Sequence, residues 1–203
     1  WLPFIATHLK TFKFLIPDWR GFGGSGQCAI PAIDAISSHW QDIECLIKQL
    51  DLNDFILMGY SMGATTAMHG MQYGNLSSKL KAYLHIDQTP KISTDDTWAH
   101  GLLGAKHPEF KVQMQQLAKF LHDHPNHRQL GDLSKAQTDQ LVELWLAFLA
   151  LQSDRPLTTT VLKFALSQPR LQKRLLPIQR LDYMRWYIDN YLHHDEDYRE
   201  ALS

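Results

Sequence analysis

Cysteine is scarce: Cys28 and Cys45 are the only two in 203 residues. A pair so sparse is not the disulfide framework that staples small secreted domains, and neither belongs to a C-x-x-C pair of the kind that holds zinc. Both read as reduced thiols, which fits a cytoplasmic protein. Long apolar runs are also missing. The longest, residues 141–151, falls short of the roughly 20 residues needed to span a bilayer and carries Glu143. The chain opens on Trp1-Leu2-Pro3-Phe4-Ile5, with no Met, no charged n-region and no small-residue cleavage site, so no signal peptide is read there. Charge of one sign is absent too. Twenty Lys and Arg against 21 Asp and Glu leave a formal net charge of -1, where a nucleic-acid-binding domain is clearly basic. No internal repeat and no low-complexity segment interrupts the chain. Nucleic acid and membrane are therefore excluded as partners, and oligomeric state is left open.

What is present is the composition of a globular protein, 44% hydrophobic and 11% aromatic, long enough for one substantial core or a core with a smaller cap. The texture changes near residue 92. Before it, short apolar runs alternate with helical patterns. Residues 12–17 read as a strand, followed by the glycine-rich stretch 18–26. Residues 34–50 read as a helix, with Ile36, Trp40, Ile43, Ile47 and Leu50 at three- and four-residue steps. Residues 54–60 form a second strand, whose run Phe55-Ile56-Leu57-Met58 suits a strand covered on both faces. Residues 64–73 read as a helix and 81–87 as a third strand. Strand, helix, strand, helix, strand at these spacings predicts a parallel sheet with flanking helices. The remainder predicts four helices: about 108–122, one beginning after Ser134 as N-cap and running to 152, 158–176, and 177–193. The expected division is a partial α/β core over residues 1–91 and a helical cap or lid over 92–203.

The chemistry concentrates in Gly59-Tyr60-Ser61-Met62-Gly63, which fits the nucleophile elbow G-x-S-x-G. A serine hydroxyl is a weak nucleophile until a base takes its proton, and to meet base and substrate it must stand clear of the backbone. A sharp strand-to-helix turn exposes it. Gly59 and Gly63 supply missing Cβ atoms where neighbours are expected to crowd. Ser61 then stands at a helix N-terminus, where the Met62 N–H can donate to a developing oxyanion. The alternative is an ordinary N-cap serine between glycines, against which the strand before and the helix after both argue.

Three segments resemble the α/β-hydrolase superfamily. They are the elbow, the loop Asp18-x-Arg20-Gly21-x-Gly23-x-Ser25, and Ile86-Asp87-Gln88-Thr89-Pro90-Lys91 followed by Trp98 and Gly101. The last is similar to cofactor-free esterases, perhydrolases and haloperoxidase-like members. The resemblance covers residues 1–100 well and the helical remainder only as a generic cap. It implies a serine hydrolase acting on an ester or related carbonyl, with a small-molecule substrate and no cofactor or metal. Ser61 would be the nucleophile and Met62 the backbone oxyanion donor. Asp18 and Arg20 would hold their loop beside the site, and Tyr60 and Trp98 would contact substrate. Trp98, Trp145, Phe148 and Trp186 are candidate pocket walls, against the favoured reading of core aromatics at helical spacing.

The family's chain order of serine, acid, histidine leaves gaps. The second oxyanion loop is expected before Trp1, and acid and histidine after Ser203, so the sequence reads as a fragment. Its sheet edges should then be exposed and its solubility poor. Asp87 is the internal candidate for the acid, against a turn-capping role. Of the histidines, His69 falls on the helix after the elbow. His122, His124 and His127, and the pair His193-His194 before Asp195, suggest solvated helix ends more than metal ligands. A non-catalytic small-ligand-binding protein on the same fold is the alternative function.

Overall fold

The computed structural model describes residues 1–152 and 180–203. The elements in chain order are α1 (Leu2–His8), α2 (Ala35–Gln49), β1 (Phe55–Tyr60), α3 (Met62–Tyr73), β2 (Leu80–Ile86), α4 (His107–Asp123), α5 (Lys135–Gln152) and α6 (Leu181–His193). The expected helix 158–176 lies outside the described residues.

Local chemistry explains where α2 begins. Asp34 is its N-cap, in extended conformation, and its carboxylate accepts from Ser37 N at 2.9 Å. Such a cap is worth about 1 kcal/mol. The amide of Asn190, from α6, supplies a second cap: its Oδ1 accepts from Ala35 N at 3.0 Å and from Ile36 N at 3.3 Å. The helix buries Ile36, Trp40 and Ile47 of the predicted stripe, while Leu50 lies past its end and is half exposed. Trp40 packs closely against α3. A Cβ on Gly70 would stand 2.4 Å from its indole, so the helices approach this closely only because α3 has glycine there.

β1 and β2 pair in parallel, with Tyr60 opposite Ile86. This α3 crossover and its sheet are the α/β architecture read from the sequence. Two expectations need correction. Residues 12–17 form no strand: they have no ladder partner among the described residues, and Phe12, Leu15 and Ile16 are about half exposed. Their apolar, β-favouring composition meets only half of the requirement, because a strand exists by pairing with a neighbour. The described core therefore holds two paired strands, not three. Nor, among the described residues, is the sheet covered on both faces. Phe55, Leu57, Leu80 and Tyr83 pack with Trp40, Ile47 and Ala67 of α2 and α3, whereas Ile56, Tyr60 and Leu84 are exposed among the described residues.

The helices after residue 92 build their own core from Phe110, Met114, Leu117, Leu121, Leu141, Leu181 and Met184. Ser134 and Gln137 cap α5 reciprocally: Ser134 N donates to the Gln137 side chain at 2.8 Å, and Gln137 N to Ser134 Oγ at 3.4 Å. The division at residue 92 is crossed in both directions. Ala35 belongs to the helical core, with Phe22, Ile30 and Met62 packed against it. In return the last residues come back to the first segment. Lys91 and Asp197 form an antiparallel bridge, Tyr198 N donates to Pro90 O at 2.9 Å, and the turn Glu200–Leu202 contacts α3. Tyr198 is almost fully buried by this return. Among the described residues no helix is long and apolar enough to cross a membrane.

Candidate active site

Ser61 joins β1 directly to α3 at φ 49° and ψ −122°, a conformation that L-residues seldom adopt. Holding a non-glycine residue there costs on the order of 1–3 kcal/mol and persists only where its surroundings enforce it. Three backbone bonds enforce it here. Ser61 N donates to Ile86 O at 3.1 Å, and Ser61 O accepts from Ala64 N at 2.8 Å and Thr65 N at 3.2 Å. A capping serine would be extended and would spend its hydroxyl on the helix N-terminus. Ser61 is not extended and makes no side-chain cap bond, and no described residue hydrogen-bonds its Oγ. Met62 opens α3, and its N–H has no described acceptor, as expected for the first turn of a helix.

The two glycines of the motif differ. A Cβ on Gly59 would lie 2.8 Å from Ala64 Cα and 3.1 Å from both Ala64 N and Gly63 O, all backbone atoms of the turn. A Cβ on Gly63 would meet only Trp19 Cζ2 at 3.9 Å, ordinary contact. The crowding expected at both positions exists at Gly59 alone.

The loop 18–26 is tied down beside this turn. Asp18 accepts from Gly24 N at 2.8 Å. Arg20 forks onto Asp42 of α2, Nε to Oδ2 at 2.7 Å and Nη2 to Oδ1 at 2.6 Å, and its Nη1 reaches Ala29 O at 3.2 Å. The Asp42 carboxylate raises the Arg20 pKa further above its ordinary value. The helix α6 and its N-cap Arg180 clamp the same loop, with Tyr187 OH donating to Arg20 O at 2.7 Å and Arg180 Nη1 to Gly26 O at 3.4 Å.

Asp87 follows β2 as Ser61 follows β1, and it too has positive φ, at 51°. The register sets the two residues side by side at the carboxyl ends of adjacent parallel strands, where α/β folds bind their ligands. Asp87 is exposed, and no described residue bonds to its carboxylate. The next residue is anchored: Gln88 Nε2 donates to Thr65 Oγ1 at 2.8 Å, fixing this segment to α3.

Tyr60 is the chain neighbour of Ser61, and no described hydrogen bond ties Trp98, Trp145, Phe148 or Trp186 to Ser61. Tyr60 is about half exposed and meets Trp1 edge-on at 6.4 Å. Trp98 contacts His100 and carries the Arg199 guanidinium 5.4 Å above its ring, so it anchors the returning C-terminal segment. Trp145 and Phe148 pack on each other at 5.4 Å against the helical core. Trp186 donates to Ile33 O at 3.0 Å. No described imidazole hydrogen-bonds Ser61 or Asp87. His69 and His194 instead flank one hydroxyl, each 3.1 Å from Tyr198 OH. Burial lowers both imidazole pKa values. His122 pairs with Asp189 at 3.0 Å, while His124 and His193 bond backbone carbonyls at 2.7 and 2.8 Å.

Sequence reasoning passed over His39. It is fully buried on α2, stacked 4.3 Å from Trp19, and burial pushes its pKa down to about 4. Its step of three from Ile36, on the same helix face, was the signal available.

Residues 1–201 match the profile of the alpha/beta hydrolase family. The chain belongs to that family. Membership carries a hydrolase-type function and agrees with the parallel pair, its helices and the strained serine between them. No curated protein sequence and no solved structure matches the chain.

Proposed function

We propose that this α/β-hydrolase is a serine hydrolase of esters or related carbonyl compounds, working through an acyl-enzyme on Ser61. The observation that carries the reading is the Ser61 backbone, strained at φ 49° between strand and helix with its hydroxyl uncommitted. Ser61 Oγ attacks the carbonyl carbon and its proton leaves to a base. The Met62 N–H donates to the oxyanion that develops. The C–O bond to the alcohol then breaks, the alcohol takes the proton, and water releases the acid from Ser61. The mechanism requires a histidine within reach of Ser61 Oγ. Asp87, at the same end of the sheet with an unbonded carboxylate, would be the group to orient that histidine. Perhydrolase or haloperoxidase-like chemistry would use the same nucleophile. Cys28 and Cys45 are free thiols, which supports a reducing, cytoplasmic setting.

The test is reaction of the full-length protein with a fluorophosphonate, with Ser61→Ala as control. Labelling abolished by Ser61→Ala supports the nucleophile. Labelling that survives the substitution refutes it, and a protein that takes no label and instead retains a small ligand favours the binding-only reading.

A further inference from the structure

Trp19 packs beside the first turn of the helix that follows Ser61. Its Cζ2 lies 3.9 Å from the point where a Cβ on Gly63 would be, so the indole rests on the first turn of α3, the turn that begins with the Met62 N–H. It is half buried, with one face packed on His39 at a centroid distance of 4.3 Å and an interplanar angle of 30°.

Hydrogen-bond accounting fixes the plane of His39. Tyr187 OH has one hydrogen and lies 2.7 Å from Arg20 O, a carbonyl that can only accept. That hydrogen is therefore committed to Arg20. The contact between Tyr187 OH and His39 Nε2 at 3.0 Å must then run from the imidazole N–H to the phenol oxygen. His39 is the Nε2–H tautomer, and its Nδ1 is buried without a described partner. Trp186 meets the imidazole edge-on at 5.8 Å, closing another side. Arg20, adjacent to Trp19 in the chain, is itself forked onto Asp42. Three separate elements thus hold the indole: its own loop, α2 through His39, and α6 through Tyr187. Anchoring of this kind makes a fixed wall, not a lid.

We infer that Trp19 is the wall that limits the size of the acyl group accepted at Ser61, and that His39 and Tyr187 act as positioning residues that hold its plane. The inference rests on Ser61 being the nucleophile. The substrate class it implies is esters of short acyl groups, since a rigid indole beside the oxyanion turn occupies the space a long chain would need. Removing it should lift that limit, as pocket walls discriminate added methylenes by roughly 10–200-fold.

The experiment compares rates of phosphonylation by ethyl- and octyl-substituted fluorophosphonates, which mimic short and long acyl groups. Ser61 Oγ forms the P–O bond, the P–F bond breaks, and fluoride leaves as the serine proton passes to the base. Trp19→Ala should raise the octyl-to-ethyl rate ratio about tenfold or more, and Trp19→Phe, the milder change, should raise it less. His39→Leu should shift the ratio in the same direction. His39→Gln, which keeps an N–H for the Tyr187 oxygen, should restore it, a rescue that general loosening of the fold would not give. An unchanged ratio in both Trp19 variants, with the adduct still on Ser61, overturns the wall and leaves the nucleophile standing. Absence of an adduct on Ser61 in the unmodified protein overturns both.

Discussion

Gly59→Ala and Gly63→Ala make the same chemical change four residues apart on one turn, yet they should move stability in opposite directions. The Cβ added at Gly59 would meet Ala64 Cα at 2.8 Å, closer than carbon atoms pack, with Ala64 N and Gly63 O at 3.1 Å. All three are backbone atoms held by the bonds of Ala64 N and Thr65 N to Ser61 O, so no flexible side chain can swing away. Overpacking of this kind costs about 1–3 kcal/mol, and a backbone clash belongs at the upper end. At Gly63 the new methyl meets only Trp19 Cζ2 at 3.9 Å. Replacing a helical glycine by alanine there should stabilise by roughly 0.5–1 kcal/mol. The two variants should therefore differ by about 3–4 kcal/mol. For a chain of this size 1 kcal/mol moves Tm by about 2–4 °C, so their Tm values should separate by roughly 6–16 °C, with Gly63→Ala at or above the unmodified protein. Thermal unfolding followed by circular dichroism reads this directly. Equal shifts for both variants would refute the contrast between the glycines, and with it the turn geometry from which it is drawn.

Acid should destabilise the protein through its buried imidazoles. Burial pushes His39 down to about 4 from an ordinary 6.5, so the unfolded chain takes up the proton first as pH falls. Stability present above pH 6.5 should be lost between about pH 6.5 and 4, on the order of 3 kcal/mol. His69 and His194 shift in the same direction. Urea midpoints at pH 7 and 4.5 measure the loss, which His39→Gln should reduce; a midpoint independent of pH would contradict it. Asn190→Ala removes the amide that caps α2 from α6 and strands the buried N–H groups of Ala35 and Ile36. It should cost about 1–3 kcal/mol, seen as a lower urea midpoint with unchanged slope. Asp42→Asn breaks the fork with Arg20, a partly exposed pair, and should cost about 0.5–1 kcal/mol, less at high salt.

Where local pattern and structure agree, the reason is that the information is local. The Asp34 cap, the stripe of Ile36, Trp40 and Ile47, and the Ser134–Gln137 cap are each contained within one or two helical turns. The elbow was legible for the same reason, since strand, serine and helix follow one another along the chain. Residues 12–17 were misread because strand composition says nothing about whether a pairing edge is available. Gly63 was misread because crowding depends on a distant residue, Trp19. The return of residues 194–203 was invisible for a like reason. Tyr198 reaches back to His69 on α3, and Lys91 to Asp197, across about half the chain, and no periodicity encodes such a meeting. Trp98 looked like a substrate contact in its family-like segment, yet its ring carries Arg199 from that returning strap. His39 was passed over because a buried histidine on an apolar face does not announce that its ring stacks on the indole of Trp19, twenty residues earlier.

The acyl-enzyme is the most direct test of the central claim. The full-length protein is mixed with a p-nitrophenyl ester of a short acid, quenched in acid within the first turnover, digested, and its peptides are read by mass spectrometry. The account predicts the acyl group bound to Ser61 in an amount equal to the first burst of nitrophenolate released, and neither acyl peptide nor burst in Ser61→Ala. Ester hydrolysis that continues in Ser61→Ala, or an acyl group found on another residue, would contradict it.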